Sequence, residues 1–307
     1  MLRMRTHITA LSLSLLLLAS SFGTSQVPQT PLAAKDSAAR VSTQGGPPLT
    51  LPNREGSLKM LVFGDSGRGS REQFELAKVM AGYRSVIAYD TVLLTGDNIY
   101  GNDKASDMKA KFEDPYRALL DQGVKFYASL GNHDSMNQKN YAFFNMDGKE
   151  YYRIKKNNVA IYAINSNYLD KRQLDWIATE MGADSTKWKI AFFHHPPFSS
   201  GGRHGSEEEV RDLLHPLFVR NGVDVVFTGH DHFYERIKPQ DGITYFVAGA
   251  AGKIRKGDVK DRSPLTAAAF DTDLSFMLVE FVDDAMHYQV VSRAGKIVDS
   301  GVISRRE

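Results

Sequence analysis

The sequence predicts an α/β (α+β) fold with two sheets packed face to face and helices outside. Three observations carry that expectation. Short apolar runs alternate with helix-like stretches from about Leu58 onward, as in βα units. The last forty residues change character: FMLVEFV, MHYQVV and KIVDSGVI are separated by Asp283-Asp284 and Ala294-Gly295, which are turn signals for antiparallel pairing. Five of the apolar runs end in polar clusters, as strands do when they carry a site at their carboxyl ends.

Taken in order, LKMLVF is a strand, and Arg71–Met80 reads as an amphipathic helix through Phe74, Leu76, Ala77 and Met80. DTVLL is a strand. Asp114–Gln122 is expected to be helical, with Pro115 in its first turn. VKFYASL, NNVAIYAIN, KWKIAFF, VDVVF and ITYFVAGA are further strands. Helices are expected at Lys171–Met181 and Glu207–Arg220, the second kinked or interrupted at Pro216. No internal repeat of fixed period is present.

The polar clusters are rich in metal-ligating residue types. LVF leads into Gly64-Asp65-Ser66-Gly67, TVLL into Gly96-Asp97-Asn98-Ile99-Tyr100, and KFYASL into Gly131-Asn132-His133-Asp134. IAFF leads into His194-His195-Pro196, and DVVFT into Gly229-His230-Asp231-His232. Asp, Asn, Tyr and His all coordinate hard or borderline cations, and a carboxylate can bridge two of them. Each cluster alone has a plainer reading. A Gly-Asp pair after a strand is usually a turn, and a His ending an apolar strand is usually a satisfied core residue. Their coincidence argues otherwise: of nine histidines, six (133, 194, 195, 204, 230 and 232) fall in or just after these clusters.

Composition is that of an ordinary globular protein, 42% hydrophobic and 24% charged over 307 residues. Residues 1–23 read as a Sec-type signal peptide: Arg3 and Arg5, an apolar stretch from Ile8 to Ala19, then small residues suited to cleavage. The alternative is an uncleaved anchor, but about a dozen apolar residues fall short of the ~20 a spanning helix needs. The mature protein is therefore expected in the periplasm or secreted, without a stable membrane anchor. Loss of Arg3 and Arg5 takes the formal charge from +2 to about zero, which argues against nucleic acid as the main partner. There is no cysteine, hence no disulfide and no thiolate ligand. Residues 24–56, poor in large apolar side chains, are expected to be a flexible linker, and 57–307 the catalytic domain.

The order GDSG, GDNIY, GNHD, HHP, GHDH resembles the calcineurin-like metallophosphoesterase superfamily, and within it the small, tartrate-resistant type of purple acid phosphatase. Many members of the superfamily have Asp-x-His in the first motif. Position 67 here is Gly, and Tyr100, three residues past Asp97, stands where purple acid phosphatases supply the replacement ligand. The resemblance implies a four-layer αββα sandwich of two mixed sheets. It implies a binuclear centre, with Asp65, Tyr100 and His232 on Fe(III), Asn132, His194 and His230 on a divalent Fe, Zn or Mn, and Asp97 bridging. His133 and His204 correspond to substrate-facing histidines, His204 lying one residue further along than in the mammalian type. The implied reaction is hydrolysis of small-molecule phosphate monoesters by metal-bound hydroxide.

The same core serves phosphodiesterases and nucleotide pyrophosphatases, and a binding protein with a vestigial metal site is the non-enzymatic alternative. His195 reads as support for a neighbouring ligand or as a solvated side chain. The basic loop Gly252–Arg262 reads as a solvated loop, or as a wall of the site mouth that attracts anions; Arg203 has the same two readings. Natural substrate and oligomeric state are not encoded in any motif.

Overall fold

The computed structural model describes residues 46–260 and 263–306. These lie in one compact unit, Ala39–Glu307. The strands are β1 (Leu58–Phe63), β2 (Thr91–Leu94), β3 (Lys125–Ala128), β4 (Tyr152–Lys156), β5 (Val159–Ala163), β6 (Trp188–Phe192) and β7 (Val225–Thr228). They continue as β8 (Tyr234–Ile237), β9 (Thr244–Ala248), β10 (Thr266–Phe270), β11 (Ser275–Val282), β12 (Ala285–Ser292) and β13 (Ile297–Ser304). Helices are α1 (Arg71–Arg84), α2 (Ala105–Met108), α3 (Arg117–Leu120), α4 (Lys171–Ala183) and α5 (Glu208–Arg220). Ser70 caps α1 and Asp170 caps α4, each side chain accepting from the N–H three residues on.

Two mixed sheets result, with strand orders β13-β12-β11-β1-β2-β3 and β10-β8-β9-β7-β6-β5-β4. In the first, β1, β2 and β3 run parallel and β11–β13 antiparallel. In the second, β5, β6, β7 and β9 run parallel. Alternation along the second sheet shows its two faces. Ile161, Trp188, Ile190, Phe192, Phe227 and Phe246 pack toward the first sheet, whereas Ala160, Tyr162, Ala191, Phe193 and Val226 pack with Ile177, Met181, Leu214 and Phe218 of α4 and α5. Trp188 meets Phe281 edge-on with ring centroids 5.0 Å apart, and Phe246 meets Tyr288 at 5.2 Å, closing the inter-sheet core.

Several expectations need correction. The helical stretch starts at Ala105, not Asp114, and runs through a π-turn (Lys109–Glu113); Pro115 sits in the turn ahead of α3. Helix α5 is continuous through Pro216. The carbonyl that Pro216 frees belongs to Asp212, and both residues are exposed, so water can take the bond. Strands β4, β8 and β10 have no counterpart in the apolar pattern: YRIKK and YERI carry charges, and TAAAF alternates half-buried with exposed at a sheet edge.

Packed chain also begins before Ser57. Leu49 and Leu51 are buried, and the Tyr83 hydroxyl donates to the Pro48 carbonyl at 2.7 Å. Gln289 Oε1 accepts from the Thr50 N–H at 2.6 Å. The fully buried Glu280 carboxylate accepts from the N–H groups of Asn53 (2.7 Å) and Arg54 (2.6 Å) and from the Ser57 hydroxyl (2.6 Å). Low average hydrophobicity concealed this strap because polar side chains on β11 and β12 hold its backbone. The expected signal peptide and the first part of the expected linker, residues 1–45, lie outside the described residues.

Glu280→Gln should weaken all three charge-assisted bonds and lower unfolding stability by about 2–4 kcal/mol in denaturant titration. A change under about 0.5 kcal/mol would show that the strap contributes nothing.

Candidate metal centre

Six parallel strands deliver their carboxyl ends to one crevice: β1, β2 and β3 from the first sheet, β6, β7 and β9 from the second. Backbone bonds tie the two sets together. Gly64 N–H donates to Ala248 O (2.8 Å) and Ala251 N–H to Gly64 O (3.2 Å), while Asp65 N–H to Gly96 O (2.9 Å) joins the ends of β1 and β2 within the first sheet. Asp65, Asp97 and His230 turn away from their strands with φ of 56°, 50° and 71°. Left-handed backbone at non-glycine residues costs of order 1–3 kcal/mol and persists where surrounding structure imposes it. Gly96 (φ 89°) lets this happen: a Cβ there would stand 2.7 Å from His194 Nδ1 and 2.8 Å from the Gly131 nitrogen.

All seven residues expected as ligands meet in this crevice, as two triads with Asp97 between them. Asp65 Oδ1 lies 3.0 Å from the Tyr100 hydroxyl and 3.3 Å from His232 Nε2, which is itself 3.3 Å from that hydroxyl. Asn132 Oδ1 lies 3.0 Å from His194 Nε2 and 3.1 Å from His230 Nδ1, and the two ring nitrogens are 3.1 Å apart. Asp97 lies between: its Oδ1 is 3.4 Å from His194 Nε2, and it also rests against the Tyr100 hydroxyl.

The Thr95 carbonyl makes His194 Nε2 an acceptor beside the Asn132 Oδ1 acceptor. His194 Nδ1–H donates to the Thr95 carbonyl at 2.9 Å, which leaves Nε2 as a lone pair directed at Asn132 and His230. Burial, then the neighbouring His195, holds the His194 imidazole well below its usual range; burial does the same to His230 and His232. Burial and then Asp97 raise the Asp65 carboxyl well above its usual value. Burial, Asp65 and Asp97 raise the Tyr100 phenol. Acceptors this close repel one another unless a proton or a cation lies among them. Asp65, Asp97 and His194 form one group able to hold a metal ion, with ligand atoms within 4.8 Å; His194, His195 and His230 form another. The donor set of carboxylate, amide, phenol and imidazole fits hard and borderline cations.

The remaining residues surround these triads. His133 is exposed, its N–H held by Asp97 Oδ1 (3.0 Å) and its ring 5.0 Å from that of Tyr100. His204 is exposed with its ring 4.2 Å from His230. His195 pairs through Nδ1 with the Ser166 hydroxyl (2.9 Å), and burial pulls its pKa down to about 4. Sequence reasoning missed Asp134. Its carboxylate accepts from the N–H groups of Gly131 (2.8 Å), Asn98 (3.0 Å) and Ile99 (3.0 Å), clamping the GNHD loop to the GDNIY loop. Burial and Asp97 push Asp134 up to about 7. Glu207 was missed as well, with Oε1 3.6 Å from His230 Nε2. No local pattern announces the contacts with Asn98, Ile99 or His230, since those partners are distant in sequence.

The chain is 28% identical over 242 residues to Purple acid phosphatase 17 of Arabidopsis thaliana, spanning 67% of this chain and 71% of that one. It is 27% identical over 248 residues to Tartrate-resistant acid phosphatase type 5 of Oryctolagus cuniculus, spanning 66% and 76%. Its fold is similar to that of GAP50, the anchor in the inner membrane complex of Plasmodium (TM-score 0.70, 18% identity, 82% of this chain and 90% of that one). It is also similar to a purple acid phosphatase from yellow lupin seeds (TM-score 0.67, 17% identity, 83% and 55%). Residues 58–234 match the calcineurin-like phosphoesterase family. That match runs from the first residue of β1 to the first residue of β8 and so takes in every strand end that carries a candidate ligand: the chain belongs to the calcineurin-like phosphoesterases and is a metal-dependent phosphoester hydrolase.

Proposed function

We propose that the protein is an exported acid phosphatase of the purple type, hydrolysing phosphate monoesters at a binuclear centre. The observation that carries this reading is the pair of triads on either side of Asp97. Asp65, Tyr100 and His232 would hold a trivalent iron, because carboxylate and phenolate oxygens are hard donors that suit such an ion. Asn132, His194 and His230 would hold a divalent ion (Fe, Zn or Mn), and Asp97 would bridge the two. Bound there, the two ions supply an activated water and neutralise the phosphoryl oxygens.

The chain's own residues do the rest. Asp134 fixes the loops that present Tyr100, Asn132 and His133. The Thr95 carbonyl keeps the His194 ring in the tautomer that turns Nε2 inward. His133 and His204, both exposed to solvent beside the triads, would donate a proton to the departing alkoxide. Export rests on the leader sequence; among the described residues no helix is long and apolar enough to cross a membrane.

Hydrolysis of p-nitrophenyl phosphate against bis-p-nitrophenyl phosphate from pH 4 to 9 tests the reading. The metal-loaded protein should favour the monoester by at least about tenfold in kcat/KM, with an acidic optimum; the opposite preference would make it a phosphodiesterase. Tyr100→Phe should abolish a visible phenolate-to-iron charge-transfer band, and an unchanged spectrum would remove iron from that position. His133→Ala should lower kcat by about 10²-fold or more while metal content stays constant. Unaltered turnover would exclude a proton-transfer role.

A further inference from the structure

The loop between β6 and α5 carries His204, and the turn after β7 holds that loop down. Asp231 lies between the candidate ligands His230 and His232, yet its own carboxylate belongs to neither triad. It is fully buried, and its Oδ2 accepts from the Ser199 hydroxyl at 2.5 Å and from the Gly205 N–H at 3.2 Å. One oxygen thus grips the loop at both ends of the segment 200–204. The chain between lies flat on the carboxylate: a Cβ on Gly201 would stand 2.5 Å from Oδ2 and 2.7 Å from Cγ, a contact only glycine allows. Ser199 Oγ extends the hold by accepting from the Gly201 N–H at 3.1 Å. The Ser206 hydroxyl closes the loop, accepting from the Ser199 N–H (3.0 Å) and donating to the Ser199 carbonyl (3.1 Å).

Two other elements brace the same segment. Glu235 of β8, also fully buried, accepts from the Ser200 N–H (2.9 Å) and the Thr266 hydroxyl (2.5 Å). The basic loop after β9 contributes backbone: Gly202 N–H donates to Asp258 O (2.7 Å), and Lys260 N–H to Ser200 O (2.9 Å). That basic loop is itself seated in the crevice. A Cβ on Gly252 would stand 2.2 Å from the Ser66 carbonyl oxygen, and Arg255 N–H donates to the His232 carbonyl at 3.0 Å. Its first half is a wall of the site, not the solvated segment its composition suggests.

All this anchoring serves a tip whose side chains are free. Gly201 and Gly205 are buried, whereas Gly202, Arg203 and His204 are exposed. An exposed side chain has little packing to fix it, so the place of the His204 ring, 4.2 Å from that of His230, depends on the backbone beneath it. Asp231 is the anchor that shares a turn with two candidate ligands, one residue from each. As an ionised acceptor of two bonds it is also a strong one. Its carboxylate therefore sets where His204 stands relative to the ligand-bearing turn.

We propose that Asp231 is a positioning residue for His204, acting through Ser199 and Gly205 to hold the imidazole facing the substrate. The inference rests on the phosphatase reading above. The test uses p-nitrophenyl phosphate and the metal-loaded protein, with Asp231→Asn, Ser199→Ala and His204→Ala alone and with each of the first two combined with the third. Asp231→Asn should lower kcat/KM by at least about tenfold, and Ser199→Ala by about threefold or more, with metal content unchanged. In the His204→Ala background both losses should shrink to within about twofold, because groups that act as a unit are not additive. Losses that persist undiminished without His204 would make Asp231 a prop for the fold and overturn the proposal, as would a His204→Ala variant as active as wild type. Should Asp231→Asn lose metal, Ser199→Ala decides, since it removes a partner of the carboxylate and leaves the carboxylate in place. Amide hydrogen exchange gives a reading without turnover. The Gly201 and Gly205 N–H groups should exchange at least about fivefold faster in Ser199→Ala, and unchanged exchange at both would overturn the clamp. If wild type is inactive on p-nitrophenyl phosphate, the phosphatase reading fails, and the exchange alone decides whether Asp231 holds the loop.

Discussion

Mutual repulsion among buried acceptor atoms around Asp97 is the constraint on which the rest of the structure depends. Asp65, Asp97 and His194 are almost fully buried, and their neighbours Tyr100, His230 and His232 nearly so. With the His194 Nδ1 proton committed to the Thr95 carbonyl, His194 Nε2 and Asn132 Oδ1 are left competing for whatever proton His230 Nδ1 carries. The fold accepts this cost in several places at once. Three candidate ligands take left-handed backbone, glycines at 96 and 252 allow contacts no side chain permits, and two sheets must pack face to face for the triads to meet. Cations bound at these positions would return much of that cost as binding energy, which couples metal loading to stability.

What was legible in the sequence follows from locality. A strand and the turn after it are adjacent in the chain, so each cluster from Gly64-Asp65 to Asp231-His232 could be placed at a strand end and its ligand types read directly. The long buried strands were equally plain, because a strand covered on both faces is a continuous apolar run. Less was visible where structure depends on a distant partner. Leu49 and Leu51 sit in a segment whose average composition is that of a linker, and only Glu280 and Gln289, more than 220 residues later, hold it down. The edge strands β4 and β10 owe their form to neighbours, not to their own pattern. Asp134 was present in a recognised motif, yet its role as an acceptor for three backbone N–H groups emerges only from the folded loops.

Lys253 illustrates the same limit at the site itself. A lysine in a loop with Arg255, Lys256 and Lys260 looks like a solvated surface until the close passage of Gly252 over Ser66 fixes it above Tyr100. Fold similarity would not have supplied this either. Among solved structures the fold is shared by an anchor protein of Plasmodium and by a plant phosphatase, so architecture alone does not separate a scaffold from an enzyme. The functional reading rests on the side chains at the strand ends.

Anomalous X-ray scattering from crystals of the protein purified with its own metals tests the central claim most directly. The account predicts two peaks, one among Asp65, Tyr100 and His232 and one among Asn132, His194 and His230, with the Asp97 carboxylate between them. A single peak, or metal held elsewhere with these acceptors left facing one another, would contradict it.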